Sequence, residues 1–321
     1  MKTTGISTQR GDDCMKKINP IYLKEIRTGV RTKKAGAVLF LYNGILALFG
    51  LFFFYVVFDA GIRYSGRINY SDILGIYAAI VAIEFALVLF TIPGLTSGSI
   101  SGEREKQTLD ILLTTTLSPM QIIRGKLSSS ISVMILLAFS SLPVLGLIFS
   151  IGGITIWNFL EFLILIIVTA IFVGSIGIFF STLYKRTTAA TVSSYGALLF
   201  LVIGTFVIVF AVKLVAQIKL ANQVVDSNVY YYPDVGNWAL LFLINPAVTC
   251  FSMLQEQTGT GDALAKFLSD FGVVPDVIVN NWFVISLLLQ LIISIILIIW
   301  SAYLLDPLRK ESFFTRKKQK T

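Results

Sequence analysis

WFVISLLLQLIISIILIIWSAYL, residues 282–304, decides the fold. The stretch contains no Asp, Glu, Lys or Arg. As an α-helix rising about 1.5 Å per residue it reaches about 34 Å, enough to cross the ~30 Å hydrocarbon core of a bilayer. Trp282 stands at one end, with Trp300 and Tyr303 near the other, at the depths where amphipathic rings meet headgroups. The rest of the chain has the same character. Of its 321 residues 55% are hydrophobic and 14% charged, against about 25% charged in a soluble domain. The mean hydropathy is +0.81. A soluble globule of this size cannot hide that much apolar surface, so a cytosolic enzyme, a secreted domain and a disordered regulator are excluded. The chain has no histidine, which removes His general bases, His metal ligands and Ser-His or Cys-His dyads together.

Five further runs are long enough to span: about 37–58, 73–95, 127–149, 158–183 and 189–213. Trp238–Leu254 is apolar but short, and Asn245-Pro246 breaks it. Counting Lys and Arg decides its status. With six spans and both ends inside, the inside segments (1–36, 96–126, 185–186 and 306–321) hold 21 of the 26 basic residues. A seventh span would move the six basic residues of the tail outside, against the positive-inside bias. The expected fold is therefore an all-α polytopic membrane protein of six transmembrane helices. Residues 1–36 form a cytoplasmic N-terminal segment, 37–305 the six-helix membrane domain and 306–321 a basic cytoplasmic tail. Residues 214–281 form a long, acidic outer segment, with 238–254 a re-entrant or interfacial hairpin. Cys14 and Cys250 then lie on opposite sides of the membrane, which argues against a disulfide. The net charge of +8 reflects the inside bias rather than nucleic acid.

The second-to-third-span connection, SGEREKQTLDILLTTTLSPMQIIRGK, carries most of the functional information (Ser101–Lys126). Glu103 and Glu105 fall in a first helical turn, where carboxylates complement the macrodipole. Leu109, Leu112, Leu113, Thr116 and Leu117 make one apolar stripe at helical spacing. Ser118-Pro119-Met120-Gln121 predicts a capping box with Pro at the first helical position. A short amphipathic helix ending near Leu117, then a new helix from Pro119, is expected. Physics alone leaves two readings open: a loop lying on headgroups, or a docking element for a soluble partner.

This stretch resembles the signature loop of ABC-2 type transporter permeases. The matching residues are Gly102-Glu103-Arg104-Glu105, Thr108-Leu109, Leu112-Leu113, Pro119 and Gly125-Lys126. Asn19-Pro20-Ile21-Tyr22-Leu23-Lys24-Glu25 is similar to the opening of many such permeases, and the six-span topology fits as well. Gln107 departs from the pattern, standing where many relatives have Gly; in a helix Gln is the better former. The resemblance implies that two permeases, copies or paralogues, pair in the bilayer. Each docks an ABC ATPase subunit on a cytoplasmic coupling helix. Glu103, Arg104, Glu105, Thr108, Leu109, Leu112, Leu113 and Pro119 are then the coupling residues. This chain lacks a P-loop of its own: around Gly125-Lys126, Met120 replaces the first Gly and Leu127 the hydroxyl residue. No cofactor is expected here, and ATP and Mg belong to the partner.

The N-terminal segment reads as an amphipathic helix, with Asn19 as cap and Pro20 at its start. The resemblance makes it an elbow helix at the interface rather than an orientation signal alone. Ala170-x-x-x-Gly174, Gly177-x-x-x-Ser181 and Ser193-x-x-x-Ala197 are candidate helix contacts. Glu84 lies mid-way along the second span, where a carboxylate costs about 3 kcal/mol by insertion scales. It is a polar point on a translocation path, a proton or cation site, or a hydrogen-bond partner of a neighbouring helix. Glu161, nearer an outer end, reads as interfacial, and Lys213 as a snorkelling cation.

Four functions compete. An intramembrane enzyme needs a converging constellation that the chain lacks. A channel or secondary transporter predicts polar residues in several spans and gives no reason for the loop. A membrane tether or signalling subunit of an ABC complex would use the same loop. The expected function is the permease subunit of an ABC exporter in the cell membrane of a bacterium. It works by alternating access on amphipathic, peptide or lipid-like cargo.

Overall fold

The computed structural model describes residues 20–30, 33–60, 70–114, 117–151, 155–223, 235–259, 262–272 and 274–306. Cys14, Thr116 and most of the basic tail lie outside the described residues. The described elements are helical throughout. In chain order they are α1 (Pro20–Val30), α2 (Lys33–Ala60), α3 (Tyr70–Thr96), α4 (Ser101–Glu105) and α5 (Leu109–Leu113). Next come α6 (Pro119–Ser140), α7 (Leu142–Ile151), α8 (Ile156–Leu183), α9 (Thr187–Leu199) and, after a π-helical turn at Phe200–Gly204, α10 (Thr205–Gln223). A 3-10 stretch (Gly236–Ile244) leads to α11 (Pro246–Gln257), α12 (Asp262–Ser269), α13 (Asp276–Asn280) and α14 (Trp282–Leu305).

Among the described residues, six helices are long and apolar enough to cross a membrane: Gly36–Asp59, Ile73–Glu105, Pro119–Gly146, Ile156–Leu183, Thr187–Leu220 and Trp282–Leu305. They coincide with the six runs read from sequence. The third begins earlier than its apolar run because Pro119 and the Ser118/Gln121 capping box, both reciprocal bonds present, start the helix there. The fourth span is the axis of the bundle. Two-thirds of its apolar window (67%) is buried inside the protein, against 17% for the first and the fifth. Its small residues explain this. A methyl group on Gly177 would come within 2.0 Å of Thr96 Oγ1, and one on Gly174 within 2.9 Å of Leu127 Cδ1. These glycines thus admit the second and third spans to the fourth. The main apolar cluster runs through all six spans and the hairpin helix, including Leu46, Ile80, Phe162, Leu198, Met253 and Leu287.

The seventh apolar run bends. Gly236–Ile244 and Pro246–Gln257 meet at 89°. Asn245 makes the corner. Its Oδ1 accepts from Ala247 N at 2.9 Å, capping α11. Its Nδ2 donates to Val202 O at 3.0 Å and to Thr205 Oγ1 at 2.8 Å. Val202 lies in the π-helical turn, which leaves main-chain acceptors for partners outside the helix. On the far side, Ser286 donates to Leu243 O at 2.6 Å, and Gln290 Nε2 donates to Thr249 Oγ1 at 2.9 Å. The hairpin is thereby fastened to the fifth and sixth spans. At its tail, Gln257 accepts from Tyr77 Oη at 2.7 Å and donates to Glu161 Oε2 at 2.8 Å. Glu161 is therefore a partner of the hairpin. Lys213 Nζ sits 4.7 Å from the centre of the Phe271 ring, a cation–π contact.

Candidate functional site

The second-to-third-span connection differs from its sequence reading in one respect. A single amphipathic helix was expected; the structure has two short ones, α4 and α5, broken at residues 106–108. Gln107 has φ of 58°, the left-handed region that favours glycine. Gln107 thus occupies a tight turn, not a helix, and its helix propensity brings no benefit there. The break lets α4 and α5 point in different directions.

The α4 charges are all hydrogen-bonded within the protein, Glu105 while remaining exposed. Arg104 Nη1 donates to Tyr184 O at 2.9 Å and to Thr182 O at 3.2 Å, and Nη2 to Thr182 O at 3.2 Å. These carbonyls close the C-terminus of the fourth span, where orphan acceptors and the negative end of the dipole favour a cation. Glu105 does the converse for the fifth span. Its Oε1 accepts from Thr187 N at 2.9 Å and its Oε2 from Thr187 Oγ1 at 2.7 Å. No side chain of the α9 N-cap residue performs that service. Glu103 accepts a short hydrogen bond from Thr108 Oγ1, which ties α4 to the head of α5. Glu103 Oε1 also lies 3.3 Å from Lys126 Nζ.

Lys126 is the residue whose role sequence reasoning missed. Counted as a loop charge, it is buried, with its side chain 6% exposed. Its ammonium lies between Glu103 on α4 and Glu25 on α1, the latter at 3.1 Å. The signal was available: a lysine flanked by Gly125 and the apolar run of the third span must find a carboxylate. Tyr22 adds a second tie from α1, its hydroxyl 3.0 Å from Ser132 Oγ. Ser181 completes the seam. Its Oγ accepts from Ile100 N and Ser101 N, each at 2.9 Å.

The apolar stripe of α5 also faces inward. Leu109 is buried in a cluster with Ile21, Ile100, Ile122, Ile123, Leu127, Ile178 and Leu305, and Leu112, Leu113 and Leu117 pack against it. Glu105, Lys106, Gln107, Thr108, Asp110, Ile111 and Thr114 are exposed. Ile111 stands out at 68% exposure. Pro119, partly buried, opens α6. Glu84, by contrast, lies far from this loop in the bundle interior, fully buried, with Ser141 Oγ 2.6 Å from its Oε1.

A family model described as ABC-2 family transporter protein matches residues 20–306, nearly the whole described chain. The chain belongs to this family. It is thus a multi-pass membrane permease subunit, a component of membrane transport rather than a catalyst. No curated protein is significantly similar to it in sequence. In this permease the matched segment starts at the first residue of α1 and ends just after α14, so the loop, the Lys126 triad and the hairpin all fall within it.

Proposed function

We propose that this permease is the membrane half of an ATP-driven exporter, and that the α4–α5 loop receives a separate ABC ATPase subunit. ATP and Mg are bound and consumed on that partner. The exposed Ile111, flanked by Lys106, Gln107, Asp110 and Thr114, is the contacting face. An apolar side chain at 68% exposure on a tied-down turn fits a pocket on a partner better than open water. The observation that carries the reading is the attachment of the loop. Glu103, Arg104 and Glu105 join it to the third, fourth and fifth spans and, through Lys126, to α1. Force applied at Ile111 therefore reaches four elements at once. Leu109, Leu112 and Leu113 transmit it as packing, while Thr108 holds the two short helices together.

Two permeases pair in the cell membrane of a bacterium, with both termini in the cytoplasm. Closure of the ATPases drives alternating access, and the outer hairpin acts as a re-entrant lid. The apolar spans suit amphipathic, peptide or lipid-like cargo. The test is co-purification from native membranes. Ile111→Glu should abolish recovery of a P-loop-bearing partner, identified by mass spectrometry, while the permease itself stays folded. Undiminished recovery overturns the docking assignment. A permease that still binds the ATPase but moves no cargo in proteoliposomes would be a tether instead.

A further inference from the structure

The buried group that coupling does not use is Glu84. It lies within the second span with none of its surface exposed. Ser141 Oγ, also fully buried, is 2.6 Å from Glu84 Oε1 and 2.7 Å from the Ala138 carbonyl oxygen. Two oxygens approach that closely only with a proton between them. The Ala138 carbonyl has none to give, and a serine hydroxyl has one. Ser140, the preceding residue, donates its proton to Leu137 O at 2.7 Å, the same local bond that Ser141 makes to Ala138. With the Ser141 proton so placed, the proton in the Ser141–Glu84 contact comes from the carboxyl. Were Ser141 turned toward an ionised Glu84 instead, two bare acceptors would face each other across 2.7 Å.

We infer that Glu84 is a proton-binding site: a neutral carboxylic acid whose Oε1–H donates to Ser141, which passes a hydrogen bond on to the Ala138 carbonyl. The surroundings support the assignment. Glu84 Oε2 and the hydroxyl of Tyr42 on α2 are both buried and lie beside each other. An ionised carboxyl would rest on two neutral hydroxyls, those of Ser141 and Tyr42, at a depth where charge is costly. The titratable groups around it are phenols, Tyr42 from the first span and Tyr77 from its own helix, with Cys250 and Glu161 beyond Tyr77. The bound proton joins the second span to the end of the third inside the bundle. Any step that parts them and admits water frees it. The inference does not depend on the exporter reading.

Infrared difference spectroscopy of the permease in lipid nanodiscs tests it. Subtracting the Glu84→Gln spectrum from wild type at neutral pH should leave the carbonyl band of a protonated carboxylic acid. A difference carrying carboxylate bands instead overturns the assignment. If Glu84→Gln does not fold, Ser141→Ala takes its place. Removing the acceptor of the Glu84 proton should move the protonated-acid band to higher frequency. A band that does not move belongs to another carboxyl and equally overturns the assignment.

Discussion

Replacing Lys126 by methionine removes the ammonium and keeps most of the stem. Nζ is 3.1 Å from Glu25 Oε1 and 3.3 Å from Glu103 Oε1. At an effective dielectric of about 20, each contact has a Coulomb energy of roughly 5 kcal/mol before desolvation is subtracted. Breaking a fully buried pair costs about 3–5 kcal/mol, and an exposed one about 0–1. Lys126 is buried, at 6% exposure, but Glu25 and Glu103 keep 37% and 27% of their side-chain surface in contact with solvent. Once orphaned, both carboxylates can hydrate. The cost of Lys126→Met therefore falls between the limits, at about 1–3 kcal/mol. A double-mutant cycle with Glu103→Gln, read by unfolding in mixed micelles, separates the contact from generic damage. We expect the two changes to interact by more than the ~0.3–0.5 kcal/mol scatter of independent sites. Arg124→Met, at an exposed position two residues away, should change stability by no more than about 0.5 kcal/mol. Additive effects of Lys126→Met and Glu103→Gln would refute the triad as a tie between α1, α4 and α6.

Gly177→Ala should destabilise by about 1–3 kcal/mol through overpacking against Thr96. Gly196→Ala, with open space around its Cβ, should stabilise by about 0.5–1 kcal/mol, and thermal unfolding distinguishes the two signs. Gln107→Val places a β-branched side chain at φ of 58°; about 1–2 kcal/mol of local strain should appear as faster amide exchange across 107–113, whereas Gln107→Gly should not speed it. Asn245→Leu leaves Val202 O and Ala247 N without their side-chain partner, at about 1–3 kcal/mol for each buried group left unpaired. The hairpin should loosen, and buried Cys250 should react faster with a thiol reagent in a Cys14→Ser background. An unchanged rate would show that the corner holds without Asn245.

The spans were legible because a helix in lipid must be apolar over its whole length, and nothing else in the chain imitates that. The corner at Asn245-Pro246 and the start at Ser118-Pro119 were legible because caps and prolines act locally. The turn at Gln107 was not. Its residue type favours the helix; the turn is closed locally by Thr108 N donating to Glu103 O at 2.9 Å, and it is held by the bonds that Glu103, Arg104 and Glu105 make to Lys126, to the Thr182 and Tyr184 carbonyls and to Thr187. Those partners lie 23 or more residues away along the chain, and a single sequence carries no sign of such distances. The same blindness hid the inward turn of Leu109. An amphipathic stripe shows that one face is covered, and not by what. Reading the motif charges as coupling residues followed from the resemblance; the structure adds that Arg104 and Glu105 bond the ends of the fourth and fifth spans, and that Glu105 and Ile111 are exposed.

The central claim, that a separate ATPase seats on the α4–α5 loop, is tested most directly by a photoreactive amino acid at position 111 of the permease in native membranes. Illumination should yield a covalent adduct with a P-loop ATPase. The same probe at Val277, equally exposed at 72% but on α13 before the last span, should yield none. An adduct from Val277, or no ATPase adduct from position 111 in a complex that demonstrably contains the ATPase, would contradict it.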